Sequence, residues 1–240
     1  RIGVDGLVKE VVEGTLTAAG ITGAAVETIH VGNAFGQLFT GQGHLGAMPA
    51  TVHDELWGAP GARHEAACAS GSIAVLAAMA ELAAGHYDCA LVLGVELEKT
   101  QPSDQAARTL GAAAWVGHEA QDVTYVWPHT FAQIAQEYAD RYGLDEAHLR
   151  AISGTNLAAA KRNPNAQTRD WSVPLDLMDL EANPVVDGVV RRFDCSQITD
   201  GGAGVVLVSD AWLRAHPQAR PIARIEGWGH TTAGLPLAAK

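Results

Sequence analysis

The sequence predicts an α/β protein on three observations. Segments with helical spacing alternate with short strand-like segments along the chain. The stretch Cys89 to Leu97 (CALVLGVEL) is a near-continuous apolar run of the kind found in strands buried on both faces. Finally, 48% of the 240 residues are hydrophobic, enough to bury a substantial core.

Taken in order, Val4, Leu7, Val8, Val11, Val12 and Leu16 recur at helical spacing and Gly20 stops the run, which predicts an amphipathic helix over 4–19 lying on a sheet. Val26 to Val31 alternates toward a strand, Gly32 to Gly46 reads as a glycine-rich loop, and Ala47 to Leu56 as a second helix. A short strand is expected over Arg63 to Ala67, then a helix over Ser70 to Ala84 that Gly85 ends, then the buried strand from Cys89. Residues 66–84 contain nine alanines and almost no polar face, so this helix is expected to be buried all round, in the middle of the protein. From about Thr100 to Pro184 the pattern changes to one rich in Trp, Pro and Asn, with helices over Phe131 to Tyr142 and Glu146 to Lys161. It reads as an insertion. Strands resume at Val189 to Phe193, Ala203 to Ser209 and Ile222 to Trp228.

Composition excludes several classes of function. Sixteen basic against 27 acidic residues give a net charge of −11, with no basic surface on which a nucleic acid would displace its counterions. Small basic groups such as Lys161-Arg162 and Arg191-Arg192 suit one phosphorylated ligand rather than a polymer. Glu81 and His86 interrupt even the apolar stretch from Ile73 to Val95, so no membrane span is expected. The first residues resemble no export signal, and three cysteines without CxxC spacing suit a reducing cytoplasm.

Cys68 stands out chemically. His64-Glu65-Ala66-Ala67-Cys68-Ala69-Ser70-Gly71 reads as a strand turning sharply into a helix with the thiol at the turn. There, unpaired N–H groups and the helix dipole favour a thiolate and can hold an oxyanion. The competing reading is a buried structural cysteine, which is the reading preferred for Cys89 and Cys195. Gly41-Gln42-Gly43-His44-Leu45-Gly46 matches GxGxxG with Glu65 19 residues on, but the strand ends too early to run into the glycine turn of a dinucleotide site. The ten histidines form no metal-ligand pattern. His129, in Trp127-Pro128-His129-Thr130-Phe131, is either a pocket residue or a surface or capping one.

A set of motifs runs in order along the chain: Gly32-Asn33, Phe39-Thr40-Gly41-Gln42, His44-Leu45-Gly46, Glu65-Ala66-Ala67-Cys68-Ala69-Ser70-Gly71 and Val92-Leu93-Gly94-Val95-Glu96. It continues through Tyr138 to Gly143, Asn163-Pro164-Asn165-Ala166-Gln167 and Asp194-Cys195-Ser196 with Thr199-Asp200-Gly201. This ordered set resembles the N-terminal half of a thiolase, most like the archaeal acetyl-CoA acetyltransferase and sterol carrier protein branch. The resemblance implies a layered αβαβα fold, with residues 1–240 as its N-terminal domain, an inserted loop region over 101–186, and a C-terminal half outside this sequence. It implies acyltransfer from acyl-CoA in lipid metabolism, by thiolysis of 3-oxoacyl-CoA or the reverse Claisen condensation, with Cys68 carrying the acyl group.

By the same resemblance, Cys68 and Gly71 line the oxyanion and substrate pocket with His129 and Phe131, coenzyme A is substrate with no bound cofactor, and the chain forms a homodimer. A small zinc-containing OB-fold protein is a candidate partner. The family's other half supplies two histidines and a second cysteine absent here. The alternatives are a thiolase-like subunit that binds acyl-CoA or a partner without chemistry, and a thiolase-like aldolase or synthase. Arg162 and Arg169 are assigned to the coenzyme's phosphates from charge alone.

Overall fold

The computed structural model describes residues 2–239 and divides into two compact units, 1–109 with 198–232, and 110–197 with 233–240. Most of the predicted insertion lies in the second unit.

The first unit begins with α1 (Val4–Ala19), which Gly20 ends in the left-handed conformation (φ 68°) with its N–H returned to the last turn. β1 (Thr28–Gly32) starts two residues later than its alternation suggests. The glycine-rich loop holds a short α2 (Gly36–Thr40) and a 3-10 turn at Leu45–Ala47. The helix expected over 47–56 is instead α3 (Met48–Val52), an extended His53 and a 3-10 turn at Asp54–Leu56. The β-branched pair Thr51-Val52 supports helix weakly at that break. β2 (Gly61–His64) comes earlier than the expected 63–67, because its parallel ladder needs Ile29 to Gly32 opposite and β1 ends there. α4 (Ser70–Ala83) leads into β3 (Cys89–Glu96), whose first five residues are all buried.

The second unit holds α6 (Val126–Tyr142), α7 (Glu146–Arg162) and a small hairpin of β4 (Val185–Asp187) and β5 (Val190–Arg191); α5 (Ser103–Leu110) precedes it in the chain. Of the strand expected over 189–193, β5 keeps Val190 and Arg191, and a 3-10 turn at Arg192–Asp194 replaces its end. The chain then returns to the first unit as β6 (Gly201–Val208), followed by α8 (Asp210–Ala215). The strand expected over 222–228 does not form: Ile222 is fully exposed and no neighbouring strand supplies ladder partners, without which alternation alone cannot make a strand.

The four-stranded sheet has the order β2-β1-β3-β6, parallel except for β6. One face is covered by α1, which packs Leu7, Val8, Val11, Val12 and Leu16 onto Ile29, Val31, Leu91, Leu93 and Val95. α4 covers the other face, with Ala74 and Ala78 against Ala90 and Val92. Only Ser70, Ala74 and Ala78 of α4 are buried, so the expectation of burial all round is corrected: the sheet covers one side, and the remaining small residues are half-buried or exposed.

Candidate functional site

The chain leaves β1 along the α1 side and leaves β2 along the α4 side, so the carboxyl ends of these strands form a topological switch point, where open α/β sheets place their ligands. Cys68 lies at that end, in the turn between β2 and α4, and its thiol is exposed. The alternative of a buried structural cysteine therefore does not hold.

Ala67 adopts φ 48°, left-handed backbone that costs an L-residue about 1–2 kcal/mol. Ser70 braces the turn: its Oγ accepts the Ala66 N–H at 3.0 Å and donates to the Ala67 carbonyl at 2.6 Å, while the Glu65 carboxylate accepts the Ala67 N–H. The Ala69 and Ser70 N–H groups donate to the carbonyls of Ala66 and Ala67, and the first full helical bond runs from Ile73 N–H to Ala69 O. The N–H groups of Gly71 and Ser72 are thus the open donors of the helix start beside the thiol.

Gly32 fixes how close this helix start comes to the sheet. A Cβ there would stand 2.7 Å from Gly71 Cα and 2.8 Å from the Ser70 carbonyl, so both backbones meet directly. Gly71 itself has room for a Cβ, and its value at this turn is its backbone. Asn33, buried after β1, donates to the Val95 carbonyl at 2.7 Å and accepts the Gly36 N–H at 2.9 Å, tying the ends of β1 and β3. Arg63 donates to the carbonyls of Asn33 and Ala34.

Glu96, at the end of β3, accepts the Ala34 and Phe35 N–H groups, and burial raises its carboxyl above the usual range against those bonds. Burial, with Glu96 and Asp200 nearby, pushes Glu98 up to about 7. Two of the GxGxxG glycines have structural roles: Gly41 ends α2 in the left-handed conformation, and a Cβ on Gly46 would meet the Ala62 backbone at 2.8 Å.

The other two thiols are unlike Cys68. Cys89 is buried at the start of β3, and burial with Glu27 nearby pushes it up to about 11. Cys195 is half-buried, its Sγ donates to the Arg191 carbonyl, and burial followed by Asp194 raises it as well.

Of the remaining candidates, His129, Phe131, Arg162 and Arg169 all belong to the second unit. His129 is neither free nor merely a cap: its Nδ1 lies 3.0 Å from Asp187 Oδ2, joining the first turn of α6 to the hairpin. Phe131 is 59% exposed on the same helix, and Arg162 and Arg169 are exposed near the end of α7 and beyond it. Arg191 is not available to a ligand: it is 6% exposed and donates to Glu146 Oε2 and the Met178 carbonyl. The Lys161 ammonium is engaged by the Trp171 carbonyl. Among the described residues no group of three or more His, Cys, Asp or Glu side chains could hold a metal, and no helix is long and apolar enough to cross a membrane.

Reading the sequence alone missed a polar cluster on the α4 face of the sheet, where His30, His64, Glu81 and Thr28 bond to one another. The signal was faint: Thr28, His30 and His64 fall on one face by strand parity, but nothing local points to Glu81.

A family model described as "Thiolase, N-terminal domain" matches residues 2–187. The chain is 31% identical over 201 residues to an acetyl-CoA acetyltransferase of Methanothermobacter thermautotrophicus, covering 84% of this chain and 51% of that protein. It is 34% identical over 190 residues to the protein of the same name in Methanocaldococcus jannaschii, covering 79% and 47%. Sterol carrier protein 2 of Gallus gallus is 26% identical over 228 residues, covering 89% and 39%. The chain thus spans about half the length, or less, of these relatives.

Among solved structures, an Ltp2–ChsH2(DUF35) aldolase superposes with a TM-score of 0.63 at 20% identity, covering 89% of this chain and 52% of that one. Human mitochondrial 3-ketoacyl-CoA thiolase in complex with CoA gives 0.62 at 15% identity, covering 90% and 61%. At these identities the likeness establishes the fold, which is thiolase-like.

Proposed function

Because the chain belongs to the thiolase family and matches its N-terminal domain, we propose that it is the nucleophile-bearing part of an acyl-CoA acyltransferase in which Cys68 carries the acyl group. The observation that carries this reading is an exposed thiol at the carboxyl end of the parallel strands, on a strained turn at the start of a helix. Strain of this kind persists where the surrounding structure over-determines it, as Ser70 and the Gly32 contact do here.

In thiolysis the Cys68 thiolate attacks the 3-oxo carbonyl carbon of a 3-oxoacyl-CoA, forming a C–S bond. The bond between C2 and C3 of the acyl chain breaks, and its electron pair leaves on the acetyl-CoA enolate, which takes up a proton at C2. A second coenzyme A thiol then attacks the acyl-cysteine, loses its proton, and returns the Cys68 thiolate. One thioester replaces another, so the second step is nearly thermoneutral and reversible. The open N–H groups at the start of α4 stabilise the oxyanion formed in each step.

His129 and Phe131 are assigned to the substrate side of the second unit, and Arg162 and Arg169, exposed and cationic, to the coenzyme's phosphates. Homodimerisation and a small DUF35-type partner belong to the same reading; the aldolase neighbour is such a complex by its description. Light scattering that finds only monomer would remove the dimer.

Peptide-level mass spectrometry after brief exposure of the intact protein to acetoacetyl-CoA tests the central assignment. An acetyl adduct on Cys68, absent in Cys68→Ala, is the expected result. Unmodified Cys68 under conditions where coenzyme A binds saturably would replace acyltransfer with a binding role, and release of an aldehyde or ketone with acetyl-CoA from a 3-hydroxyacyl-CoA would replace it with an aldol cleavage.

A further inference from the structure

On the α4 face of the sheet, the first unit holds a line of polar side chains, buried at Thr28 and His30 and half-exposed at its two ends, that acyltransfer to Cys68 does not use. His30, in the middle of β1, is 2% exposed. Its Nε2 lies 3.1 Å from Glu81 Oε2, which also accepts the Thr28 hydroxyl at 2.9 Å. Its Nδ1 lies 2.9 Å from His64 Nε2, and the two rings are 5.0 Å apart and nearly parallel, with 23° between their planes. Glu81 sits in the last turn of α4, and His64 ends β2 four residues before Cys68. A single chain of contacts therefore runs from the far end of the nucleophile's helix, through the middle of the sheet, to the start of the nucleophile's turn.

Hydrogen-bond chemistry fixes the direction of this chain. An ionised carboxylate only accepts, so His30 donates Nε2–H to Glu81 and is left with a lone pair on Nδ1, which takes the Nε2–H of His64. One further proton fits on the half-exposed His64 at Nδ1 without disturbing any bond. A second proton, on His30 Nδ1, puts two N–H groups head to head, and the contact has to open.

Thr28 is the further polar neighbour of His30, its hydroxyl 3.3 Å from Nε2, and it does not titrate in this range. His30 is flanked in register by Ala62 on β2 and Val92 on β3, and α4 presents Ala74, Val75, Ala78 and Leu82 to Ala90, Val92 and Leu207. His64, Glu81 and His30 are the titratable groups that meet there. Burial, then His30, lowers the proton affinity of His64, with Glu81 opposing.

We propose that Glu81, His30 and His64 are positioning residues for Cys68, holding the end of β2 and the turn beyond it in place until both imidazoles are protonated. The inference rests on the reading of Cys68 as the acylated nucleophile.

The test combines single-turnover acylation of Cys68 by acetyl-CoA with amide hydrogen exchange of residues 65–70 between pH 8.5 and 5, on the intact protein. In the wild type, exchange corrected for its intrinsic pH dependence is expected to rise about tenfold through an acid step, with acylation falling across the same step. His64→Gln can donate the same bond to His30 through its amide N–H and, once His30 Nδ1 carries a proton, turn its amide oxygen to accept it, so no head-to-head contact forms. It should acylate within about twofold of wild type at pH 8 and lose the acid step. His64→Leu leaves the His30 lone pair unmet and should acylate about tenfold more slowly at every pH.

An acid step that persists in His64→Gln, with acylation otherwise normal, overturns the chain and leaves the Cys68 reading intact. An exchange step that His64→Gln abolishes, with Cys68 never acylated, does the opposite. Circular dichroism confirms that each variant folds, and His64→Gln keeps the test decisive should His64→Leu not.

Discussion

The two faces of the four-stranded sheet are built from different materials. Under α1 the contact is made by branched aliphatic side chains, several wholly buried. Under α4 it is made by alanines, bare backbone and a histidine–carboxylate chain, and much of the helix remains uncovered. Large apolar side chains bury the most area and contribute the most stability. Small residues let backbones approach closely and hold a thiol, its donors and its polar support within short distances. One sheet thus carries an anchoring face and a working face, and substitutions on the two should differ in kind.

The largest effect is expected on the anchoring face. Leu93→Ala removes a 1% exposed side chain under α1 and should cost about 3 kcal/mol by denaturant unfolding. The reactivity of Cys68 in the molecules that stay folded should be unchanged; a large loss of reactivity would erase the distinction between the faces. Gly32→Ala on the working face should cost about 2 kcal/mol, because its Cβ meets Gly71 and Ser70 backbone that cannot swing aside. Here thiol alkylation of folded protein should change too, since the helix start has to move.

Ser70→Ala is smaller in stability, about 1 kcal/mol, and sharper in meaning. It removes both hydroxyl bonds that brace the turn at the strained Ala67, leaving those of Glu65 and the Ser70 N–H, so Cys68 acylation should slow by more than the stability change accounts for. Equal acylation in this variant would show that the turn needs no brace.

The smallest effect concerns the rim of the site. Glu98, raised to about 7, holds a proton in the folded state that the unfolded chain gives up near 4.5. The folded form therefore binds more protons between those values, and the stability this contributes at low pH is lost as pH rises through 7. Glu98→Gln stays neutral, so its melting temperature relative to wild type should increase from pH 5 to pH 8. The increase should be slight, because Glu98 is only half-buried and solvent screens its neighbours.

What could be read in advance follows the same division. α1 and its stop at Gly20, the start of α4 at Ser70 and the buried run of β3 were legible because spacing, a terminator and an apolar run are local signals. The place of Cys68, a thiol at a turn into a helix, was legible because such a turn is a local signal too. The exposure of α4 was not, since an alanine-rich helix looks the same whether one side or all sides are covered. Nor was the His30 chain, whose partners lie 34 and 51 residues away in sequence and meet only when the strands align. Ile222 to Trp228 shows the converse: alternation without a neighbour to pair with is not a strand.

The antiparallel pairing of β3 with β6 also has a kinetic meaning. These adjacent strands are separated by about a hundred residues, including the whole middle of the second unit. On a ribosome, β1, β2 and β3 emerge long before the strand that closes their apolar side, so Leu91 to Val95 wait as an open edge while α6 and α7 are made. Completion of the sheet is a late, long-range loop closure, and the interval before it is when the nascent chain is most exposed to edge-to-edge aggregation.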